Sequence, residues 1–180
     1  ATKLEGHPDN VAPALFGGLT IAWQDETGPK HKKLFVHRGV SPLVLVPKNK
    51  MSTELARSLQ PESVPHDDAV FNVSRSALLI AALTQSPELL LAATEDRLHQ
   101  NYRAKAMPET DALITALRNS GHAAVVSGAG PSVLVLASDP AQRLAAASLA
   151  AEKFPTWSPL MLAVDFKGAT VTTYRNLGAN

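Results

Sequence analysis

The segment from Ala123 to Leu136 constrains this chain most. Two short apolar runs, Ala123-Ala-Val-Val126 and Val133-Leu-Val-Leu136, bracket the turn Ser127-Gly128-Ala129-Gly130-Pro131-Ser132. Runs this short, closed by glycine and proline, read as strands rather than helices. The glycines permit positive φ and close backbone approach, so successive N–H groups there can form a nest for an anion. As a bare pattern the same residues also fit an ordinary tight hairpin turn.

Around this pair the pattern mixes helices with hairpin-connected strands from residue 43 onward. Leu43 to Val46 is an unbroken apolar strand closed by Pro47, and Ser41-Pro42 marks a domain boundary. Ser52 caps a short helix at 53–59. A long helix over 68–83 is apolar nearly all round and is expected to be buried. Pro87 starts another, running to about Gln100. Residues 109–120 are amphipathic through Leu113, Ile114 and Leu117, with Gly121 as the stop. An alanine-rich helix covers 140–154, and strands at 160–164 and 169–174 turn at Lys167-Gly168. These elements predict an α+β domain with its helices on one face of an antiparallel sheet.

The first 40 residues read differently. Glu5-Gly-His7-Pro8-Asp9-Asn10 feeds a short apolar helix that Gly17-Gly18 stops, with Asp9 or Asn10 as N-cap and Pro13 in the first turn. A strand at 19–23, a polar loop at 24–33 and a return strand at 34–37 follow.

Composition excludes several classes. A net charge of +1 gives no electrostatic case for nucleic acid or an anionic membrane. No apolar run approaches the ~20 residues of a membrane span. With no cysteine and no secretory signal, a cytosolic, cytoplasmic protein is expected. The histidines lack zinc-ligand spacing, so no metal site is expected in these residues.

Four groups carry candidate chemistry. His7, Asp9 and Asn10 converge before a helix, where the dipole favours an anionic or phosphoryl ligand, although the same residues would serve as a plain cap. Arg75 shares a stripe with Phe71, Leu78 and Ala82, so its guanidinium needs an anion. That anion is either a carboxylate of the chain, Asp67 and Asp68 included, or a ligand carboxylate gripped by the bidentate fork. Arg103, in Leu98-His-Gln-Asn-Tyr-Arg103-Ala, reads by itself as a solvated arginine answering a helix dipole, and becomes a ligand candidate only through the resemblance given below. Ser127 to Ser132 is the fourth, whereas His66-Asp67-Asp68 reads as a cap and a solvated cluster.

Taken together, four segments resemble homoserine kinases in family order. They are Glu5 to Gly18, Phe71 to Leu79, Asp96 to Ala104 and Ser127 to Ser132. The chain resembles the C-terminal part of an actinobacterial-type member of the galactokinase, homoserine kinase, mevalonate kinase and phosphomevalonate kinase superfamily. The resemblance implies that residues 1–40 are the remainder of an N-terminal domain like ribosomal protein S5 domain 2. It implies a ferredoxin-like domain over 41–180. The implied reaction transfers the ATP γ-phosphoryl group to the side-chain hydroxyl of L-homoserine, committing carbon to threonine. Arg75 and Arg103 would grip the substrate carboxylate, Asn10 with His7 and Asp9 would sit beside the accepting hydroxyl, and Gly128 with its loop would wall substrate from nucleotide. Asp9 is the one carboxylate placed to act as a base, and phosphoryl transfer can proceed by positioning alone.

One departure from the family pattern is the lack of anything like Gly-Leu-Gly-Ser-Ser-Ala. The chain also opens at Ala1, close to its strongest motif. A C-terminal portion is therefore expected, inactive alone, with the ATP loop and the acidic Mg²⁺ ligand upstream. Apolar surface left on residues 1–40 would then favour association, and a homodimer stays open. Two other readings compete: a related kinase of mevalonate, shikimate or an isoprenoid precursor, and a non-catalytic amino-acid-binding regulatory module.

Overall fold

A computed structural model describes residues 5–48 and 59–172. They form two compact units, one of the described residues up to Phe35 with those from Val164 on, the other running from Val36 to Ala163. The short helix expected at 53–59, with its Ser52 cap, lies outside the described residues apart from a turn at residue 59.

In the first unit helix α1 (Val11–Phe16) precedes strands β1 (Leu19–Asp25) and β2 (Gly28–Leu34), an antiparallel pair with Leu19 opposite Leu34. The polar loop expected at 24–33 is thus mostly strand, and the return begins at Gly28 rather than 34. The physical reason is local. Asp25 Oδ1 accepts from Thr27 N (2.8 Å) and Thr27 Oγ1 (2.7 Å), which folds the chain back within two residues. Lys30 and Lys32 then lie on a hairpin whose polar positions face water, so no apolar alternation announces it.

The end of α1 is held by the distant segment after Val164. Gly17 N bonds Pro13 O (2.8 Å), Gly18 N bonds Asp165 O (2.7 Å), and Ala169 N bonds Ala14 O (3.0 Å). Gly17 has φ +66°, and a Cβ there would stand 2.7 Å from the Asp165 carbonyl oxygen. Lys33 Nζ donates to Phe16 O (2.6 Å) and to Phe166 O, answering the carbonyl end of the helix. The strand expected at 169–174 is not formed by its described residues, of which Ala169 bonds the backbone of α1 instead.

The second unit is a four-stranded antiparallel sheet. Its strands are β3 (Ser41–Val46), β4 (Ala124–Val126), β5 (Val133–Ala137) and β6 (Ser158–Met161), in the order β4-β5-β3-β6. Helices α2 (His66–Thr84), α3 (Leu90–Ala93), α4 (Gln100–Ala104) and α5 (Pro108–Asn119) lie between β3 and β4, and α6 (Pro140–Lys153) between β5 and β6. This is the β-α-β-β-α-β plan of a ferredoxin-like domain.

Period-two patterning builds the core. Leu43 and Leu45 of β3 face Val135 and Val133 of β5, all four at 0% exposure. Leu113, Ile114 and Leu117 of α5 and Ala146, Ala147 and Ala150 of α6 close over them with Trp157. The alanines let α6 approach closely, and Asp139 caps it by accepting from Gln142 N (2.9 Å).

Two expectations need correction here. Helix α2 is not buried all round: Val70 and Val73 are exposed, and only Ala82 and Leu83 are buried. The helix expected from Pro87 to Gln100 is broken into a 3-10 turn (Pro87–Leu89), α3 and α4. Thr94 ends α3 by turning its hydroxyl back to Leu90 O (2.7 Å), and Asp96 captures the next amides. Such local side-chain bonds compete with helix continuation.

Candidate active-site residues and family

His7, Asp9 and Asn10 all lie exposed in the first unit, on the approach to α1. Asn10 occupies the N-cap position but makes no side-chain cap, because its backbone is already helical (φ −85°, ψ −32°). Pro8 O instead accepts from Ala12 N (2.8 Å), while Asp9 Oδ1 accepts from Asn10 N (3.0 Å). With six residues, α1 is too short for its dipole to carry a binding argument.

In the second unit Arg75, on α2, is paired within the chain. Its Nη2 stands 2.8 Å from Glu95 Oε2 and its Nε 2.9 Å from the same oxygen. The carboxylate is neither Asp67 nor Asp68. Asp68 meets Arg97 at 3.5 Å. Phe71 lies between the two guanidiniums, with the Arg97 carbon 3.8 Å and the Arg75 carbon 4.3 Å from its ring centre. Such cation–π contacts hold planar cations in place while leaving their edges free to bond.

Arg75, Glu95 and Arg97 line a cavity of about 640 Å³ between α2 and α5, with Thr110, Asp111 and Arg118 on its far wall. Arg118 serves the fold. It donates to Leu91 O (2.7 Å), Thr94 Oγ1 (3.0 Å) and Ala124 O (3.2 Å), and burial lowers its pKa while Glu95 opposes the shift.

Arg103, on α4, does not line that cavity. Its Nη1 donates to Gly128 O (3.3 Å), which joins two of the residues singled out from sequence. The structure brings Arg103 to the glycine turn, while Arg75 is engaged with Glu95.

The turn itself is braced from several sides. Ser127 N bonds Ser132 O (2.8 Å) and Gly130 N bonds Ser127 O (3.0 Å). Thr110 Oγ1 donates to Pro131 O (2.9 Å). Gly130 has φ +87°, a conformation that favours glycine, and a Cβ there would also press on the Met107 side chain. Ala129 completes the turn, whose Gly130–Pro131 bond is cis.

Sequence reasoning singled out neither Glu95 nor the role of Asp96. The Asp96 carboxylate accepts from Asn72 Nδ2 (2.7 Å) and from the amides of Leu98 (3.1 Å), His99 (2.9 Å) and Gln100 (2.6 Å). Burial works against its ionisation, but bonds from Gln100, Asn72, Leu98 and His99 outweigh burial and hold the pKa below the ordinary value. An Asp placed before a short helix was the available signal. Among the described residues no group of three or more His, Asp or Glu side chains is arranged to hold a metal ion.

Residues 77–156, which include α5, the glycine turn and α6, match the model for the GHMP kinases C-terminal family. Around that segment the chain is similar to a homoserine kinase of Clavibacter michiganensis subsp. michiganensis, 77% identical over 95% of this chain and 54% of that protein. A homoserine kinase of Leifsonia xyli subsp. xyli is also 77% identical, over 95% of this chain and 53% of its own length. The chain thus spans about half the length of the curated relatives it matches. The crystal structure of homoserine kinase from Cytophaga hutchinsonii shares the fold, with a TM-score of 0.81 at 23% identity, covering 90% of this chain and 53% of that one. The four-stranded antiparallel sheet agrees with the α+β patterning of the sequence, and its strand order with the ferredoxin-like plan that the resemblance implied.

Proposed function

We propose that this chain is the C-terminal portion of a homoserine kinase that transfers the γ-phosphoryl group of ATP to the side-chain hydroxyl of L-homoserine. The carrying observation is the 77% identity to a protein of that name across 95% of the chain. Arg103 presents a guanidinium beside a glycine-rich turn, and Arg75 stands over the Phe71 ring while paired with Glu95.

In this reading Arg75 and Arg103 hold the substrate carboxylate, with Glu95 yielding Arg75 to the ligand. His7, Asp9 and Asn10 act near the accepting hydroxyl, with Asp9 the candidate base. Gly128 and the rest of the 127–132 turn shape the wall between acceptor and nucleotide. Residues 1–40 belong to the remainder of the N-terminal domain, and 41–180 to the C-terminal one. By the family resemblance, Mg²⁺ and most of the ATP contacts are assigned to residues upstream of this chain. Rate acceleration would come from positioning and charge stabilisation. No helix among the described residues is long and apolar enough to cross a membrane. By the same resemblance the enzyme is placed in the cytoplasm and in threonine biosynthesis.

The test is ADP release by the full-length enzyme containing this chain, with L-homoserine and with a panel of other hydroxy acids. Homoserine-dependent release that collapses in Arg75→Ala and Arg103→Ala supports the assignment. Release with a different acceptor would discard the substrate, and none with any acceptor would discard the kinase.

A further inference from the structure

Asp96 stands between α3 and α4 and joins three parts of the second unit. Each of its oxygens accepts two bonds. Oδ1 takes Asn72 Nδ2 and Leu98 N, and Oδ2 takes His99 N and Gln100 N. One side chain therefore satisfies the amides that open α4 and ties them to α2. Asn72 is itself fixed twice, since its Oδ1 accepts from Arg97 N (2.8 Å). Gln100, whose amide ends the Asp96 set, turns its own Oε1 to accept from Val126 N (2.8 Å). Val126 ends β4 and leads directly into the glycine turn. Arg103 lies one helical turn beyond Gln100 and donates to Gly128 O in that turn.

We propose that Asp96 is a positioning residue for the acceptor substrate: by capping α4 and, through Gln100, holding Val126, it fixes the Arg103 guanidinium against the 127–132 turn. The inference rests on the reading of Arg103 as a ligand to the substrate carboxylate. Asp96 lines the cavity beside Arg75, but both its oxygens are already taken by donors of the chain, so it acts through the backbone of α4. All four of its partners are donors, so an asparagine would set its own amide nitrogen against two of them. A glutamate would keep the charge and move it by one methylene.

Steady-state kinetics of the full-length enzyme, wild type against Asp96→Asn and Asp96→Glu, test the proposal. The expected result is a homoserine KM raised about tenfold or more in both, with the ATP KM within about twofold and kcat within about threefold. An unchanged homoserine KM in Asp96→Asn overturns the proposal. So does full activity in Asp96→Glu, which would mean that the charge alone matters. Gln100→Leu keeps the cap and cuts only the link to Val126. It should reproduce the homoserine effect, and it serves where the Asp96 variants fold poorly.

Amide hydrogen exchange on the same full-length proteins gives a readout independent of turnover. In Asp96→Asn, residues 98–100 and Val126 should lose protection while Leu113 and Leu117 keep theirs. Loosening of 98–100 without Val126 breaks the proposed coupling. If the wild type shows no homoserine-dependent turnover, the kinase reading and the substrate role fall together. The exchange data then separately decide whether Asp96 sets α4 and the end of β4.

Discussion

Thr110, at the start of α5, is 3% exposed and donates its hydroxyl to Pro131 O across 2.9 Å, fastening the first turn of a core helix to the glycine turn. Replacing it with valine leaves a carbonyl without its partner. We expect Thr110→Val to cost about 1–2 kcal/mol, with Thr110→Ser retaining most of the stability. Urea midpoints for the two variants check this.

Arg75 has a different expected profile. Its pairing with Glu95 is partly exposed, at 27% and 43% of the side chains, so removing it should change stability by under about 1 kcal/mol. Arg75→Ala should nonetheless depress homoserine phosphorylation in the full-length enzyme by about a hundredfold or more, as expected for loss of a bidentate carboxylate contact. Thermal melts beside kinetics separate the roles. A large loss of stability at unchanged activity would make the arginine structural.

Burial lowers the pKa of His122 from its ordinary value of 6.5. The unfolded chain then binds this proton at a higher pH than the folded one does. Its contribution is therefore complete above 6.5, declines as pH falls towards the lowered folded value, and changes no further below it. Urea unfolding across this window should show a slope in the wild type that is reduced in His122→Gln. Equal slopes would contradict it.

Gly17 adopts φ +66° with the Asp165 carbonyl where a Cβ would go. Gly17→Ala should release the 165–169 segment from the end of α1, at a cost of about 1–3 kcal/mol. Limited proteolysis near Phe166 reads this out directly, and unchanged protection there would refute it.

The parts of the fold that were legible in sequence are the short apolar runs and the amphipathic stripe of Leu113, Ile114 and Leu117, which lies in the core. Both runs are apolar throughout, so the burial of Leu43, Leu45, Val133 and Val135 rather than their neighbours shows only in the pleated sheet. The β1–β2 hairpin was hidden because β2 is mostly polar and its turn depends on the Asp25 side chain. The break at residues 94–99 was hidden for a related reason. Thr94 and Asp96 bond the backbone, and propensity cannot foretell which amides a carboxylate will capture. Arg75 and Arg103 stood out as cations needing anions. That Glu95 would meet one and Gly128 the other depends on separations of 20 and 25 residues, which no local pattern encodes.

The order β4-β5-β3-β6 also has a consequence for synthesis. Strand β3 leaves the ribosome first, yet its two partners are residues 133–137 and 158–161. Until those emerge, Leu43 to Val46 is an apolar strand with both hydrogen-bonding edges open, the kind of segment that pairs with the wrong chain. Long-range pairing of this sort also slows folding. The glycine turn and its braces can therefore settle only late, and a nascent chain stalled before Met161 would expose one edge of its central strand.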